Sequence, residues 1–340
     1  MTAPDVIAFP LPRLLCDVGG THIRFAAVEA EGLAPSLLSH GILASFAGFE
    51  DAARHAIASM NTPPASLLIC AAGPVDGRSA QLTNRGWRLD GEVLAGSLHL
   101  KQGVLLNDFE AVALSLPALN GSSLVQVVGR EQSSSSGGPQ LVLGAGTGLG
   151  LAALISDDGR HQAISSEAGH ITLGPACEED EAVFARVERP HGRLTAETLI
   201  SGPGLERLHR ARLILSGKEP AIEMSAAGIA ENAGRYSSGV EAATVRHFWR
   251  IVARFASDMA LVFAARGGVV LAGGALQKLY PMMDPQEFRA CFLDKSPMQA
   301  LIRGISVHML KDEYAVLKGL ARIAALPSEY SIDYESRRWA

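Results

Sequence analysis

Residues 14–28 read LLCDVGGTHIRFAAV, and residues 141–155 read LVLGAGTGLGLAALI. Each stretch predicts a short apolar strand, a turn rich in glycine and a second strand. The second copy follows the first by 127 residues, a distance too long for a solenoid repeat. The pattern therefore predicts two related domains, each of which opens with a β-hairpin whose turn faces a shared cleft.

The segments around the hairpins alternate between strands and helices. Strands are predicted at residues 67–75 (where the strand runs into a turn), 104–106 and 269–272. Helices are predicted from Phe109 to about residue 116, over most of residues 196–265, after Gly273 and Gly274, and over residues 317–325. This alternation indicates an α/β fold.

The composition narrows the class of protein. At roughly 100–200 residues per domain, 340 residues predict two domains. The formal net charge of −5 gives no electrostatic attraction to nucleic acid or to anionic membranes. No apolar run reaches the ~20 residues of a membrane span, and the first 13 residues do not resemble a signal peptide. We therefore expect a cytoplasmic protein that binds neither nucleic acid nor membrane.

The cysteines give no sign of a metal site. Cys16, Cys70, Cys177 and Cys291 are far apart and form no CxxC pair. A structural zinc site needs paired ligands at short spacing. The pattern favours buried free thiols in a reducing compartment.

The two glycine turns are candidate phosphate sites. Successive backbone N–H groups in such turns can bind phosphate oxygens, and glycine lets the anion approach closely. An ordinary tight hairpin is the alternative for either copy alone, but two matched copies favour phosphate binding. The Walker pattern is absent, and the second turn is not a dinucleotide fingerprint because a strand follows it. Asp17 precedes the first turn, where it would either cap the turn or hold Mg²⁺ through water beside a phosphate.

Asn107 and Asp108 follow a strand and begin a helix. Both residue types are favoured as helix N-caps, so capping is one interpretation. The other is a carboxylate that takes the proton of an attacking hydroxyl, with the neighbouring amide orienting it.

Further polar residues could pair with the hydroxyls of a sugar. An unpaired buried hydroxyl costs about 1–3 kcal/mol, so a sugar site needs several such partners. The candidates are Asn84, Glu167, His170 and Glu197.

Seven motifs in this order resemble the bacterial glucokinases of the superfamily that also holds hexokinase and actin. The resemblance spans about residues 14–325. The motifs are LCDVGGT at 15–21, LNDFEA at 106–111, GAGTGLG at 144–150, EAGH at 167–170, AETLISGPGL at 196–205, LAGG at 271–274 and FRACFLDK at 288–295.

The resemblance implies two actin-like (ribonuclease H-like) α/β domains around a deep cleft. The small domain would hold residues 1–117 and about 311–340, and the large domain residues 118–310. It implies transfer of a phosphoryl group from ATP, carried with Mg²⁺, to glucose, with Asp108 as the catalytic base. The implied sugar contacts are Asn84, Asn107, Asp108, Glu167, His170 and Glu197. The implied nucleotide contacts are Asp17, Gly19, Gly20, Thr21, Gly144, Gly146, Thr147, Gly148, Gly273 and Gly274. We also expect a homodimer.

Three residues depart from the family pattern: His22 replaces Asn, Arg85 replaces His, and Ala168 replaces the first Gly of EGGH. These departures leave the preferred hexose open, and the phosphoryl donor could be ATP or polyphosphate. The zinc motif of the related ROK kinases and repressors, CxCGxxGCxE, is absent, which indicates the zinc-free branch. The alternatives are a kinase of another hexose or a catalytically silent sugar-binding regulator.

Overall fold

The computed structural model describes residues 7–82, 86–129, 137–218 and 224–339. The chain divides into two structural units. The first holds Met1–Ser123, Leu154–Ile164 and Asp312–Ala340, and the second holds Leu124–Ala153 and Ser165–Lys311.

The secondary structure follows the α/β prediction. The strands are β1 Arg13–Val18, β2 His22–Val28, β3 Ser36–Ile42, β4 Ser66–Ala71, β5 Val75–Asp76, β6 Ser79–Gln81, β7 Arg88–Asp90, β8 Gln102–Asn107, β9 Leu124–Val128, β10 Gln140–Ala145, β11 Leu149–Asp157, β12 Arg160–Ser166, β13 Gly268–Ala272, β14 Val307–Leu310 and β15 Arg338–Trp339. The helices are α1 Phe49–Ile57, α2 Gly91–Leu98, α3 Asp108–Ser115, α4 Glu178–Phe184, α5 Ala196–Leu199, α6 Gly202–Leu215, α7 Ala226–Arg235, α8 Val240–Val262, α9 Gly274–Leu279, α10 Pro285–Leu293, α11 Gln299–Arg303, α12 Ala315–Ala325 and α13 Tyr334–Arg337.

The first large sheet has the strand order β15-β8-β4-β1-β2-β3. Strands β1, β4 and β8 are parallel, whereas β2 and β3 continue from β1 as antiparallel neighbours. Every residue of β4 is buried, as expected for a central parallel strand that is covered on both faces. The parallel strands therefore end at one edge of the sheet, where Asp17 and Asn107 lie.

The second large sheet has the order β12-β11-β10-β13-β14-β9. As in the first sheet, three strands, β10 to β12, are joined by short turns. Strand β13 then lies parallel to β10, and β14 lies parallel to β13. The predicted repeat of strand, glycine turn and strand is confirmed by the matching hairpins β1–β2 and β10–β11. The predicted α/β class is likewise confirmed.

The predicted helices are present, but the sequence missed the last elements. The predicted final helix is α12, which buries Leu317, Leu320 and Ile323 at helical spacing. Beyond it, the chain adds α13 and β15, and β15 pairs with β8 at the edge of the first sheet.

The four cysteines are free thiols, but only Cys16 and Cys70 are buried. The expectation of burial is wrong for Cys177, which is exposed at the N-cap of α4, and Cys291 is only partly buried. Within the described ranges, no group of three or more His, Cys, Asp or Glu side chains could hold a metal ion. None of the helices described there has the length and apolar character to cross a bilayer.

Candidate active site

The first glycine turn joins β1 to β2. The N–H of Gly19 donates to the carbonyl of His22 at 2.9 Å, and the carbonyl of Thr21 accepts from Leu43 N–H at 2.9 Å. Thr21 and His22 are exposed. The ring of His22, one of the departures from the family pattern, lies 5.4 Å from the ring of His40. The turn is thus fixed by its own backbone and presents Thr21 to solvent.

Asp17 is held from two neighbouring strands. It lies opposite Arg24 of β2 and opposite Cys70 of β4. The Arg24 guanidinium is 3.2 Å from Asp17 Oδ2, and the Cys70 thiol donates to the same carboxylate. Burial raises the pKa of the Asp17 carboxyl, while Arg24 acts in the opposite direction. Asp17 is therefore a braced, largely buried carboxylate and not a solvent-exposed turn cap.

Asn107 and Asp108 form the junction between β8 and α3. Asn107 is the N-cap, and its Oδ1 accepts from the N–H groups of Phe109 at 3.0 Å and Glu110 at 3.3 Å. Its Nδ2 donates to the carbonyl of Gly73 at 3.1 Å. The capping interpretation therefore holds for Asn107, and it leaves Asp108 as the first residue of the helix.

Asp108 has the properties of a general base. Burial raises the pKa of its carboxyl to about 6, the negative charge of Asp17 contributes in the same direction, and the N–H of Phe109, 3.0 Å from Oδ1, opposes them. Asp17 and Asp108 belong to the same edge of the sheet, because β1 and β8 both run parallel to β4. A carboxyl that titrates just below neutral pH can both accept a proton and remain ionised before the reaction.

The second glycine turn joins β10 to β11 and is shorter than predicted. Gly144, expected in the turn, lies within β10 opposite Ala272 of β13, so the turn comprises residues 146–148. A Cβ built on Gly146 would meet nothing within 4 Å, whereas one on Gly148 would lie 2.6 Å from Glu197 Oε2. The N–H of Gly146 donates to the carbonyl of Gly148 at 2.9 Å. Gly146 therefore borders open space, and Gly148 is packed against protein.

Glu197 braces this second turn. Its Oε2 accepts from the N–H of Leu149 at 2.8 Å. The short helix α5 that carries it is capped by Thr195, and the Ser201 hydroxyl donates to the Glu197 carbonyl at 2.8 Å. The sequence indicated a sugar contact here, but the backbone partner could not be seen because Glu197 and Leu149 are 48 positions apart.

Glu167 and His170 lie close together on the surface of the second unit. Their Oε2 and Nε2 atoms are 3.7 Å apart, and their side chains are 93% and 60% exposed, respectively. A turn of 3₁₀ helix over Ala168–His170 brings them together. Gly169 must be glycine, since a Cβ there would lie 2.3 Å from the Leu149 carbonyl oxygen. Ala168 is buried beside it, so this departure from the family pattern is accommodated.

The last glycine pair opens α9. Gly273 has φ +90°, and a Cβ there would lie 2.4 Å from the carbonyl oxygen of Ala145. Gly274 borders open space. Only glycine at residue 273 lets this loop approach the second turn so closely. Asn84 and Arg85 lie outside the described residues.

The predicted residues that the structure describes fall in two sets, one in each unit. The first unit holds Asp17, Gly19, Gly20, Thr21, Asn107 and Asp108. The second holds Gly144, Gly146, Thr147, Gly148, Glu167, His170, Glu197, Gly273 and Gly274. Sequence reasoning did not identify Arg24 and Cys70 as partners of the Asp17 carboxylate. The sequence shows each only as a polar or thiol side chain in or next to a predicted strand.

Comparison with known proteins gives a consistent picture. A family model described as Glucokinase matches residues 14–327. The glucokinase of Rhizobium meliloti (strain 1021) is 36% identical over 334 residues, which cover 98% of this chain and 97% of that protein. A glucokinase structure from an Antarctic psychrotroph superposes with a TM-score of 0.79 at 27% identity, covering 93% of this chain and 99% of that one. A ROK family glucokinase from Streptomyces griseus in complex with glucose and AMPPNP shares the fold, with a TM-score of 0.62 at 22% identity over 92% of this chain and 99% of that one.

Proposed function

The chain belongs to the glucokinase family, and we propose that it transfers the γ-phosphoryl group of MgATP to the 6-hydroxyl of glucose with Asp108 as general base. The observation that carries this proposal is the position of Asp108 as the first residue of α3, directly after β8, where burial raises the pKa of its carboxyl to about 6. In the reaction, Asp108 accepts the proton of the 6-hydroxyl as that oxygen bonds to the γ-phosphorus and ADP departs. Phosphoryl transfer otherwise depends mainly on positioning and charge stabilisation.

The glycine turns are the proposed nucleotide contacts. The open space at Gly146 and Gly274 supports this role, since a phosphate could approach the backbone there without displacing protein. Thr21 and Thr147 each add a hydroxyl donor. ATP as the donor, in preference to polyphosphate, is part of the proposal.

Magnesium fits the site as an ion that arrives with the nucleotide. The described residues offer no three-ligand cage, which suits Mg²⁺ because it commonly keeps several waters and binds one or two carboxylates together with phosphate oxygens. Asp17 would hold it through water. The bound ion would offset negative charge on the phosphate oxygens.

The sugar contacts are proposed from the exposed and half-buried polar groups of both units. Glu167 and His170 present a carboxylate and an imidazole side by side, which suits neighbouring ring hydroxyls. Glu197 has one carboxylate oxygen committed to Leu149 N–H. Its second oxygen, together with Asn84 and Asn107, completes the proposed set.

Three broader features also stay proposals. The assignment of residues 1–117 with about 311–340 to a small domain, and of 118–310 to a large one, draws support from the unit boundaries at Ser123 and Lys311, whereas Leu154–Ile164 groups with the first unit. A cytoplasmic location is supported by four free thiols. A homodimer is proposed, and light scattering on the purified protein would test it.

A coupled assay tests the function. Purified enzyme is given MgATP or polyphosphate with glucose, and glucose 6-phosphate is measured by its oxidation with NADP⁺; for a panel of other hexoses with MgATP, ADP release is measured. We expect turnover with MgATP and glucose and none with 6-deoxyglucose, which lacks the accepting hydroxyl. ADP release from MgATP in the presence of 6-deoxyglucose, at the rate found with glucose, would contradict transfer to the 6-hydroxyl. Glucose binding by calorimetry without turnover of any hexose would instead indicate a regulator.

A further inference from the structure

Residues 328–339, here called the tail segment, lie beyond the part of the chain that the glucokinase family model matches, 14–327. They nevertheless form part of the first unit's sheet. Strand β15 pairs antiparallel with β8, with Arg338 opposite Val104 and Trp339 opposite Gly103. Strand β8 is the strand that ends at Asn107, so the tail segment contacts the element that delivers the proposed base.

Trp339 anchors the tail segment. Its side chain is 1% exposed. Its ring occupies the space where a Cβ on Gly91 or Gly103 would lie, since a Cβ at either position would be only 2.2 Å from a ring atom. Tyr334 packs on Phe9 with ring centroids 6.1 Å apart. The glycines and the tryptophan are therefore matched in size, and the tail segment has one fixed position on the sheet.

Arg337 connects the tail segment to helix α3. Its guanidinium donates from Nη1 to both carboxylate oxygens of Glu110 at 2.7 Å. The Glu110 side chain is only 11% exposed, and its Oε2 also accepts from the backbone N–H of Asn107 at 3.4 Å. Glu110 and Asn107 thereby form a reciprocal capping box around Asp108. The ion pair thus acts on the first turn of the helix, which holds the proposed base.

We propose that Arg337 is a positioning residue for phosphoryl transfer: it fixes Glu110, and through the capping box it fixes the orientation of Asp108. The inference rests on the proposed function of Asp108. Without Arg337, the largely buried carboxylate of Glu110 would lose its charged partner. Glu110 would then turn towards solvent, which breaks its hydrogen bond with the Asn107 N–H and displaces the first turn of α3.

The test compares three full-length variants with wild type. Arg337→Met removes the ion pair, Arg337→Lys keeps the charge but not the planar geometry, and Arg338→Met is a matched control for charge and position. A misplacement of about 1 Å can cost 10²-fold, so we expect Arg337→Met to lower kcat by about 10- to 100-fold. KM for ATP should stay within about twofold, because the proposed nucleotide contacts lie outside the capping box, and KM for glucose should change less than kcat. Arg337→Lys should recover part of kcat, and Arg338→Met should match wild type.

A second measurement separates positioning from stability. Assays are run at least 15 °C below each variant's Tm, and the double variant Arg337→Met with Glu110→Gln should be no slower than the slower single variant. Wild-type kcat in Arg337→Met, or equal losses in Arg337→Met and Arg338→Met, would overturn the inference. If Arg337→Met does not fold, Glu110→Gln is judged by the same kcat criterion.

Asp108→Asn, assayed in parallel, separates the two proposals. If Asp108→Asn is inactive while Arg337→Met is fully active, only the positioning role fails. If Asp108→Asn keeps wild-type kcat, the base assignment fails and the positioning role fails with it.

Discussion

The two glycine turns share a backbone plan but differ in charge. At the repeat distance of 127 residues, Asp17 of the first hairpin corresponds to Gly144 of the second. Asp17 is paired with Arg24 and Cys70. Gly144 instead lies opposite Ala272. The residues that follow these two, Ala145 and Gly273, also lie close together. The first hairpin thus carries a carboxylate that is held by two partners, and the second has a glycine at the corresponding position.

This difference indicates a division of roles between the units. On the proposed function, the buried carboxyls of Asp17 and Asp108 give the first unit a group that would hold Mg²⁺ through water and the group that would accept the proton. The second unit offers backbone and open space at its turn, with its exposed polar groups nearby in sequence. Substitution of the first unit's buried carboxylates should therefore change kcat, and substitutions at the second unit's turn and exposed polar groups should change KM or sugar preference.

The largest expected effect is that of Asp108→Asn. We expect kcat to fall by about 10²–10⁴-fold, because an amide cannot accept the hydroxyl proton. Glucose binding, measured by calorimetry, should survive in part. If the variant keeps more than a tenth of the wild-type kcat, Asp108 is not the base, and the proposed division of roles between the two units is wrong.

Gly146→Val should raise KM for ATP by about 10- to 100-fold while leaving glucose affinity nearly unchanged. The new side chain meets no protein atom within 4 Å at its Cβ, so it blocks the ligand's approach without disturbing the fold. Gly174→Val, at another open glycine of the same unit, is the matched control. Lost glucose binding with normal KM for ATP would show that the two sites are reversed, provided that circular dichroism shows a folded variant.

The pH dependence should follow Asp108, whose pKa is about 6. The base must be ionised, so kcat/KM should rise with pH and level off above about pH 7, with about a tenfold loss at pH 5.

The free energy of unfolding should fall as the pH rises, because a raised carboxyl pKa means that ionisation of Asp108 is less favourable in the folded state than in the unfolded state. The penalty is absent below about pH 4 and complete above about pH 6, so Asp108→Asn should raise stability at pH 7 by ~1–3 kcal/mol. A flat rate profile between pH 5 and pH 7, or a destabilised Asp108→Asn, would contradict this.

The smallest expected effect is that of Glu167→Gln on sugar choice. Wild type should prefer glucose to galactose, because a site that reads a hydroxyl rejects the sugar that inverts it. The Glu167 side chain is 93% exposed, so we expect its loss to reduce the glucose-to-galactose ratio of kcat/KM by only about 3- to 10-fold. KM for ATP should not move. An unchanged ratio would mean that Glu167 only braces its turn.

The sequence predicted the features that depend on local pattern. Apolar runs ending in Gly-Gly-Thr or Gly-Thr-Gly gave both hairpins, and Asn-Asp after an apolar strand gave the start of α3. The end of β10 was misplaced at Gly144 because that residue is held in the strand by pairing with β13, which is distant in sequence.

What could not be predicted depends on register and long-range contact. Arg24 looks like an outward-facing strand residue until the pairing of β1 with β2 places it opposite Asp17. Arg337 lies in a short segment without periodicity, and Glu110 is its partner only after β15 joins β8. Strand pairing of this kind is set by tertiary contacts and not by local propensity.

The first unit is assembled from segments far apart in the chain, and this sets an order of events during biosynthesis. Helix α12 packs on β1 and α3, and a Cβ on its Gly319 would overlap Ser115. Yet 188 residues separate Ser123 from Asp312. At about 5–20 residues per second, a ribosome needs roughly 10–40 s to cross that interval. During this time β1 and α3 lack the helix that covers their apolar surface, so the first unit completes its core only after α12 has emerged.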